Sequence, residues 1–321
     1  MAVFQTKKIQ SFIAFIAFII VLVAILWLFQ DNILKISILQ NKTEQLDTSN
    51  QEFKEDSYLE KIDNFIIKEY SKDQILLHTV EAETYFSYKD SPVQLLKVKV
   101  KTFDETQQEG LVMTSNRAEM LKSGEMFFNG EVNIQTKSGV LHEIDTESLI
   151  VLTNSGQIKS NREITYLAEN TKINAQGMDM SIDSDTMFLN GKVKIKQDSG
   201  SIINTTNLFI SHAEGEKKYQ SKEKTVYVSK YNTVNSEKGI DADMNKNLIR
   251  LLGEVEILGL SDSKIESYDL LIDQSNGGEV YKSNDSVHYQ SSATNIKAKK
   301  MNYDAVTKKL ELMDEVLAVY E

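Results

Sequence analysis

Four histidines, His78, His142, His212 and His288, are the residues of this chain best suited to metal binding or proton transfer. They stand far apart in sequence, and no two form the H-x-x-x-H pair that sets two imidazoles on one helix face. They read as surface or edge residues, not as ligands. Two acidic stretches, "MDMSIDSD" (Asp179, Asp183, Asp185) and "DADMN" (Asp241, Asp243), lack the glycine and terminal glutamate of a calcium loop and read as solvated turns. Lys192, Lys194 and Lys196 alternate along one stretch, which could meet phosphates but reads first as the wet face of a strand. "NSGQ" and "NGGE" are turns, and no phosphate-binding fingerprint is present. No nucleophile–base arrangement stands out. The expectation is therefore no catalytic residue, no metal and no cofactor. The chain has no cysteine, which excludes disulfides, thiolate zinc sites, thiol catalysis and a cysteine-linked lipid. A net charge of -11 without any block of Lys and Arg argues against a nucleic-acid partner.

What remains is apolar patterning. "MFFNGEVNIQTKSG" at 126–139 returns as "MFLNGKVKIKQDSG" at 187–200, more loosely as "IRLLGEVEILGLSDS" from 249, and as the fragment "LELMDEVLAVYE" at the end. Gly130, Gly191 and Gly253 keep a step of 61 or 62 residues, and Asp314 takes the next glycine slot. Tyr166, Tyr227 and Tyr289 keep the same step, as do Met178, Ile240 and Met301. Several landmarks sharing one period mark an internal repeat. Within each copy apolar and polar residues alternate, the signature of a strand with one dry and one wet face. Met126, Phe128, Val132 and Ile134 form the dry face of the first copy, and Leu189, Val193 and Ile195 that of the second. Leu251, Val255 and Ile257 follow in the third, and Leu310, Leu312, Val316 and Ala318 in the last. A second strand in each unit carries Leu149 and Val151, Leu208 and Ile210, or Leu270 and Ile272. The mid-strand glycine marks a bulge or a close backbone approach. Each repeat has room for about four strands, and residues 62–321 for roughly sixteen in two facing sheets, a layer on the order of 40 Å long. The expected fold is an all-β, elongated open β-jellyroll of stacked repeats. Pro92 is the only proline, which suits long hydrogen-bonded ladders.

The elements that position this sandwich begin at the N-terminus. Residues 9–29, "IQSFIAFIAFIIVLVAILWLF", carry no charge. About 20 such residues span a bilayer as a helix. Lys7 and Lys8 precede the run and Asp31 follows it, which places residues 1–8 in the cytosol and the bulk of the chain across the membrane. A cleaved signal peptide would have a shorter apolar run and a small-x-small site. Residues 30–61 are polar and read as a linker. At the other end the last copy stops in mid-unit without a polar cap. Leu312, Val316, Ala318 and Tyr320 thus form an edge strand ready to pair with another strand.

An anchor followed by "IDNFIIKEYSKDQILLHTVEAETYFSYKD", "SNRAEMLKSGEMFFNGEVNIQ", "LHEIDTESLIVLTNSGQIKSNREITY" and "NAQGMDMSIDSDTMFLNGKVKI" resembles the LptC family. These blocks agree in order and spacing over residues 7–196. The resemblance implies an inner-membrane, periplasmic, non-enzymatic component of lipopolysaccharide export with an open β-jellyroll. It implies a partner ABC transporter, with membrane and nucleotide-binding subunits, and a same-fold soluble bridge protein, LptA, met by edge-strand pairing. Family members end soon after the "LNGKVKIKQ" block. Here residues 197–321 continue with repeats similar to those of the bridge, beyond the LptC-like part at 62–196.

The dry stripe then has two readings. In one, Phe128, Val132, Ile134, Leu149, Val151, Leu189 and Val193 line a groove for acyl chains, continued by Ile195, Leu208, Ile210, Leu251, Val255 and Ile257. In the other they fill an ordinary core, and the protein is a membrane-tethered scaffold or adhesin. A polysaccharide-acting β-helix enzyme, with three coils of about 20 residues per repeat, would cluster Asp, Arg and Lys in one groove. No repeat shows that cluster.

Overall fold

The computed structural model describes residues 58–320 apart from 105, 122–124, 138–141, 153–154, 182–183 and 261–262. The expected anchor and most of the expected linker lie outside the described residues. Among those described, no helix is long and apolar enough to cross a membrane. The described chain is all-β, with twenty-four strands and a single 3₁₀ turn at Ala213–Gly215. It forms two compact units. The first holds the chain up to Val132 together with Ile150–Gly156, the second Asn133–Leu149 and Gln157–Glu321.

The first unit is an antiparallel meander of β1 (Glu60–Tyr70), β2 (Leu76–Ser87), β3 (Val93–Phe103) and β4 (Glu109–Met120). Alternation decides which side chains go inside. Val80 faces Ile67 on one neighbour and Val100 on the other, and Val100 faces Met113. Phe65 stacks on Tyr85 with ring centroids 4.9 Å apart. The first part of β5 (Glu125–Thr136) and the end of β6 (His142–Leu152) also belong here and bury Phe128, Val132 and Val151.

The second unit repeats one pattern. Two long strands are followed by four short ones: β7 (Gln157–Ser160), β8 (Ile164–Ala168), β9 (Thr171–Ala175) and β10 (Gly177–Ser181). The next copy has the long β11 (Thr186–Gln197) and β12 (Ile202–Ser211), then β13 (Lys218–Ser221), β14 (Thr225–Val228), β15 (Thr233–Ser236) and β16 (Ile240–Asp243). The third has β17 (Leu248–Leu260) and β18 (Ser263–Asp273), then β19 (Val280–Ser283), β20 (Val287–Gln290), β21 (Thr294–Ala298) and β22 (Lys300–Asp304). The chain ends with β23 (Lys309–Met313) and β24 (Leu317–Tyr320). The repeat therefore holds six strands where the sequence pattern suggested four. Sequence counting missed this because a four-residue strand leaves only two inward positions, too few to register as a separate alternating run.

Each long strand serves two sheets. The first half of β11 pairs with β10 and the second half with β9. The second half of β12 pairs with β13 and the first with β14. β17 and β18 divide in the same way between β16 and β15, and between β19 and β20. Sheet I thus runs β7, β10, β11, β12, β13, β16, β17, β18, β19, β22, β23. Sheet II runs from the start of β6 through β8, β9, β11, β12, β14, β15, β17, β18, β20 and β21 to β24. This all-β, antiparallel arrangement fits a β-jellyroll.

The corner between the sheets is where the glycines lie. The β11–β12 register skips between Leu189 and Lys192, a bulge, and Gly191 there has φ +70°. Gly253 occupies the same place in β17 at φ +77°. Left-handed φ costs an ordinary L-residue roughly 1–2 kcal/mol, and glycine avoids that cost. The freed N–H groups are not wasted: Gly191 donates to Asn207 Oδ1 at 3.0 Å and Gly253 to Asp269 Oδ1 at 2.6 Å. In the last copy Asp314 and Glu315 take the left-handed corner, at φ +60° and +50°, and the long strand is split into β23 and β24. Hydroxyl residues fill the corner on its inner side. Thr146 bonds Ser160 at 3.1 Å, Thr205 bonds Ser221 at 3.1 Å, and Ser267 bonds Ser283 at 2.6 Å. These small side chains let the sheets approach at the corner, and larger ones hold them apart further along.

Candidate functional site

Away from the corner the facing sheets present two apolar rows, one residue per strand. In sheet II the register aligns Ile144, Tyr166, Ile173, Ile195, Ile203 and Tyr227, and then Val234, Ile257, Ile265, Tyr289, Ile296 and Ala318. In sheet I it aligns Ile158, Met180, Met187, Ile210 and Tyr219, and then Ala242, Ile249, Ile272, Tyr281, Tyr303 and Leu310. Every residue named from sequence as groove lining points inward. Phe128, Val132 and Val151 lie in the core of the first unit, and Ile134, Leu149, Leu189, Val193, Ile195, Leu208, Ile210, Leu251, Val255 and Ile257 in the second; all are at most 3% exposed. The seam between sheets I and II is thus filled by its own side chains, each such burial stabilising by about 1.5–3 kcal/mol. Lys192, Lys194 and Lys196 point out to water, as expected of the wet face.

Opposite the corner the seam has a mouth, a cleft of about 300 Å³ lined by turn and strand residues from both sheets. It is polar, and two hydrogen-bonded groups cross it. In the first, Tyr166 Oη of sheet II lies 2.7 Å from His142 Nδ1 and 3.0 Å from His212 Nε2, the latter at the end of a sheet I strand. Lys217 and Glu169 form an ion pair beside it. In the second, Tyr227 Oη of sheet II donates to Glu279 Oε1 of sheet I at 2.7 Å and accepts from Gln274 Nε2 at 2.8 Å. Tyr281 Oη donates to the other oxygen of Glu279 at 2.8 Å. Burial holds the hydroxyls of Tyr166, Tyr227 and Tyr281 well above the usual phenol range and pushes Tyr219 up to about 12, so all four remain neutral. The Lys217 ammonium beside Glu169 holds that carboxyl below its ordinary value.

Sequence reading missed the mouth. His142 and His212, far apart in sequence and expected to be surface or edge residues, have ring centroids 5.0 Å apart. Their nearness comes from the register of β6, β8 and β12, which spacing alone does not reveal. The signal available was the tyrosine at a fixed repeat position. His78 lies buried in β2, opposite Glu69, while His288 sits beside Glu266 on the wet side of sheet II. Among the described acidic residues, Asp179 pairs with Lys159 at 3.0 Å and Asp243 with Lys246 at 2.6 Å; Asp183 lies outside the described residues. No cluster of three or more metal-ligating groups occurs among the described residues.

The last strands differ from the rest. β24 pairs with β21, and the stretch from Val316 through β24 to Tyr320 is exposed, Tyr320 at 74%. Leu312 in β23 is half-buried. The two inner rows run out here onto an uncovered apolar edge.

The family model for lipopolysaccharide-assembly, LptC-related proteins matches residues 15–198 and 233–321. The chain belongs to the LptC family. The match resumes well beyond residue 196, so the C-terminal repeats carry LptC-related sequence themselves. No curated protein matches the chain. As an LptC-family protein it is a component of lipopolysaccharide transport, in a family of transport components rather than enzymes.

Proposed function

We propose that this LptC-family chain is held in the inner membrane by residues 9–29, with residues 1–8 cytosolic and the β-structure in the periplasm. It accepts lipopolysaccharide from an ABC transporter and carries the acyl chains between the two sheets. It passes them on to a same-fold bridge protein that adds a strand beyond β24. The single observation that carries this reading is the unbroken pair of apolar rows, in register across every repeat of the second unit. Each methylene kept from water is worth about 0.8 kcal/mol, so a multi-chain lipid needs such shielding throughout an aqueous crossing. A row of near-equivalent apolar positions offers many shallow sites and no deep trap. The exposed edge at Val316, Ala318 and Tyr320 supports strand addition, because it presents a ladder side and an inner face together. The C-terminal repeats lengthen the path that the chain itself provides.

One observation favours a second reading, a solid tethered scaffold: the inward residues are already buried against each other. The two readings part in a photo-crosslinking experiment. With lipopolysaccharide supplied to the full chain, a photoreactive residue at Ile195 is expected to capture lipid, and one at the neighbouring Lys194 is not. Equal labelling of both positions, or none at Ile195, removes the transfer reading and leaves the scaffold.

A further inference from the structure

The corner of the second unit is closed covalently, because the long strands pass through it from one sheet to the other. Acyl chains can therefore reach the seam sideways only at the mouth. We propose that the two polar groups spanning the mouth, Tyr166 with His142 and His212, and Tyr227 with Glu279, are latches. They hold the empty seam shut and must break for lipid to enter. The inference rests on the transfer reading above.

Three features carry it. First, the bonds join opposite sheets: residues 46 apart in sequence meet at Tyr166–His212, and residues 52 apart at Tyr227–Glu279. Strand pairing within either sheet does not need them. Second, they are polar groups set at the rim of an otherwise apolar interior. Tyr227 is fully buried and Glu279 is 6% exposed, and each oxygen of the Glu279 carboxyl has a tyrosine donor. Such a group is stable only while its partners stay in place, so the mouth has a well-defined closed state. Glu169 and Lys217, on the two sides of the first latch, add an exposed ion pair that contributes little. Third, the latches stop. Tyr289 holds the same repeat position as Tyr166 and Tyr227, but makes no cross-sheet hydrogen bond among the described residues. Tyr289 and its row neighbour Ile296 are half-buried, where Tyr227 and Val234 are fully covered. The seam is latched over the first two steps and unlatched at the third, next to the exposed terminal edge. Lipid entering through the middle of the unit meets a gate; lipid leaving at the C-terminal end does not.

The test is a time course of photo-crosslinking from Ile195 to purified lipopolysaccharide, using the full chain in detergent. Tyr166→Phe and Tyr227→Phe keep the ring and remove the hydroxyl. Each is expected to speed labelling about three- to tenfold, the range set by the net worth of one or two hydrogen bonds. His212→Leu removes the cross-sheet bond of the first latch from the other side, leaving no side-chain hydrogen-bonding group, and is expected to speed labelling as well. Tyr289→Phe is expected to label at the wild-type rate. Hydrogen exchange checks the fold, with faster exchange expected at β8 and β14 and unchanged exchange in β17 and β18. Wild-type labelling with no acceleration in either latch variant overturns the latches and spares the transfer reading. So does equal acceleration by Tyr289→Phe. Absence of wild-type labelling at Ile195 overturns the transfer reading and the latches with it.

Discussion

Glu69 closes β1 opposite His78, with one carboxyl oxygen buried and without a hydrogen-bond partner. Burial raises its pKa to about 7 from the usual carboxyl range. The folded state therefore favours the protonated form. Its contribution to stability is full below the ordinary carboxyl value, about 4.3, and is lost as pH rises through about 7. Amide exchange in β1 and β2 is expected to be slower at pH 5 than at pH 8 once corrected for intrinsic rates. Glu69→Gln is expected to abolish that difference and to slow exchange at pH 8; a variant with the wild-type pH dependence would show that another group is responsible. Gly239 is the other residue with an individual cost attached. Its φ is +104°, and an added Cβ would lie 2.0 Å from the Ser221 carbonyl oxygen, which is backbone and cannot swing away. Gly239→Ala is expected to destabilise the second unit by on the order of 2–3 kcal/mol or more, measured by denaturant unfolding. Neither residue stands out in the sequence. The repeat marks Gly239 only through its neighbour Ile240, and Glu69 reads as one polar residue among several at the end of a strand.

At the scale of the element, the alternation along β11 and β17 was legible in full. Period two sorts side chains onto two faces wherever one face is buried, and all thirteen named inward residues lie in the interior. The bulge at Gly191 and Gly253 was legible too, since a strand glycine has few other uses. The division of each long strand between two sheets was not. Alternation says which way a side chain points, but both halves of β11 alternate alike, and the change of partner from β10 to β9 is a non-local pairing. The short strands were hidden for the same reason. Packing at this scale carries its own prediction. Ile195 is flanked by Ile173 and Ile203 and is fully buried. Ile195→Ala is expected to cost about 2–5 kcal/mol in denaturant unfolding, because the neighbouring β-branched side chains cannot collapse into the space. A cost under about 1 kcal/mol would show a seam loose enough to part without expense.

For the whole molecule, the proposed function makes the exposed terminal edge the place where a partner strand would add. Ala318→Lys with Tyr320→Lys places two charges on the inner face of β24 without touching any buried group. Capture of a same-fold partner is expected to weaken at least about tenfold, since like-faced lysines oppose apolar strand addition. Thermal unfolding is expected to be unchanged. Undiminished capture would place the partner surface elsewhere. The sequence by itself determined the repeat, the dry face, the corner glycines and the replacement of that glycine by Asp314 in the last copy, and its ordered blocks resemble the LptC family to which the chain belongs. These are local or periodic properties, written wherever a strand must turn or hide one side. Only the tertiary structure decided that one strand serves two sheets, that the sheets meet at a hydroxyl-lined corner, that His212 and Glu279 arrive at tyrosines of the opposite layer, and that His142 joins Tyr166 from its own layer. Those juxtapositions depend on register summed over several strands, and no short stretch of residues carries that sum.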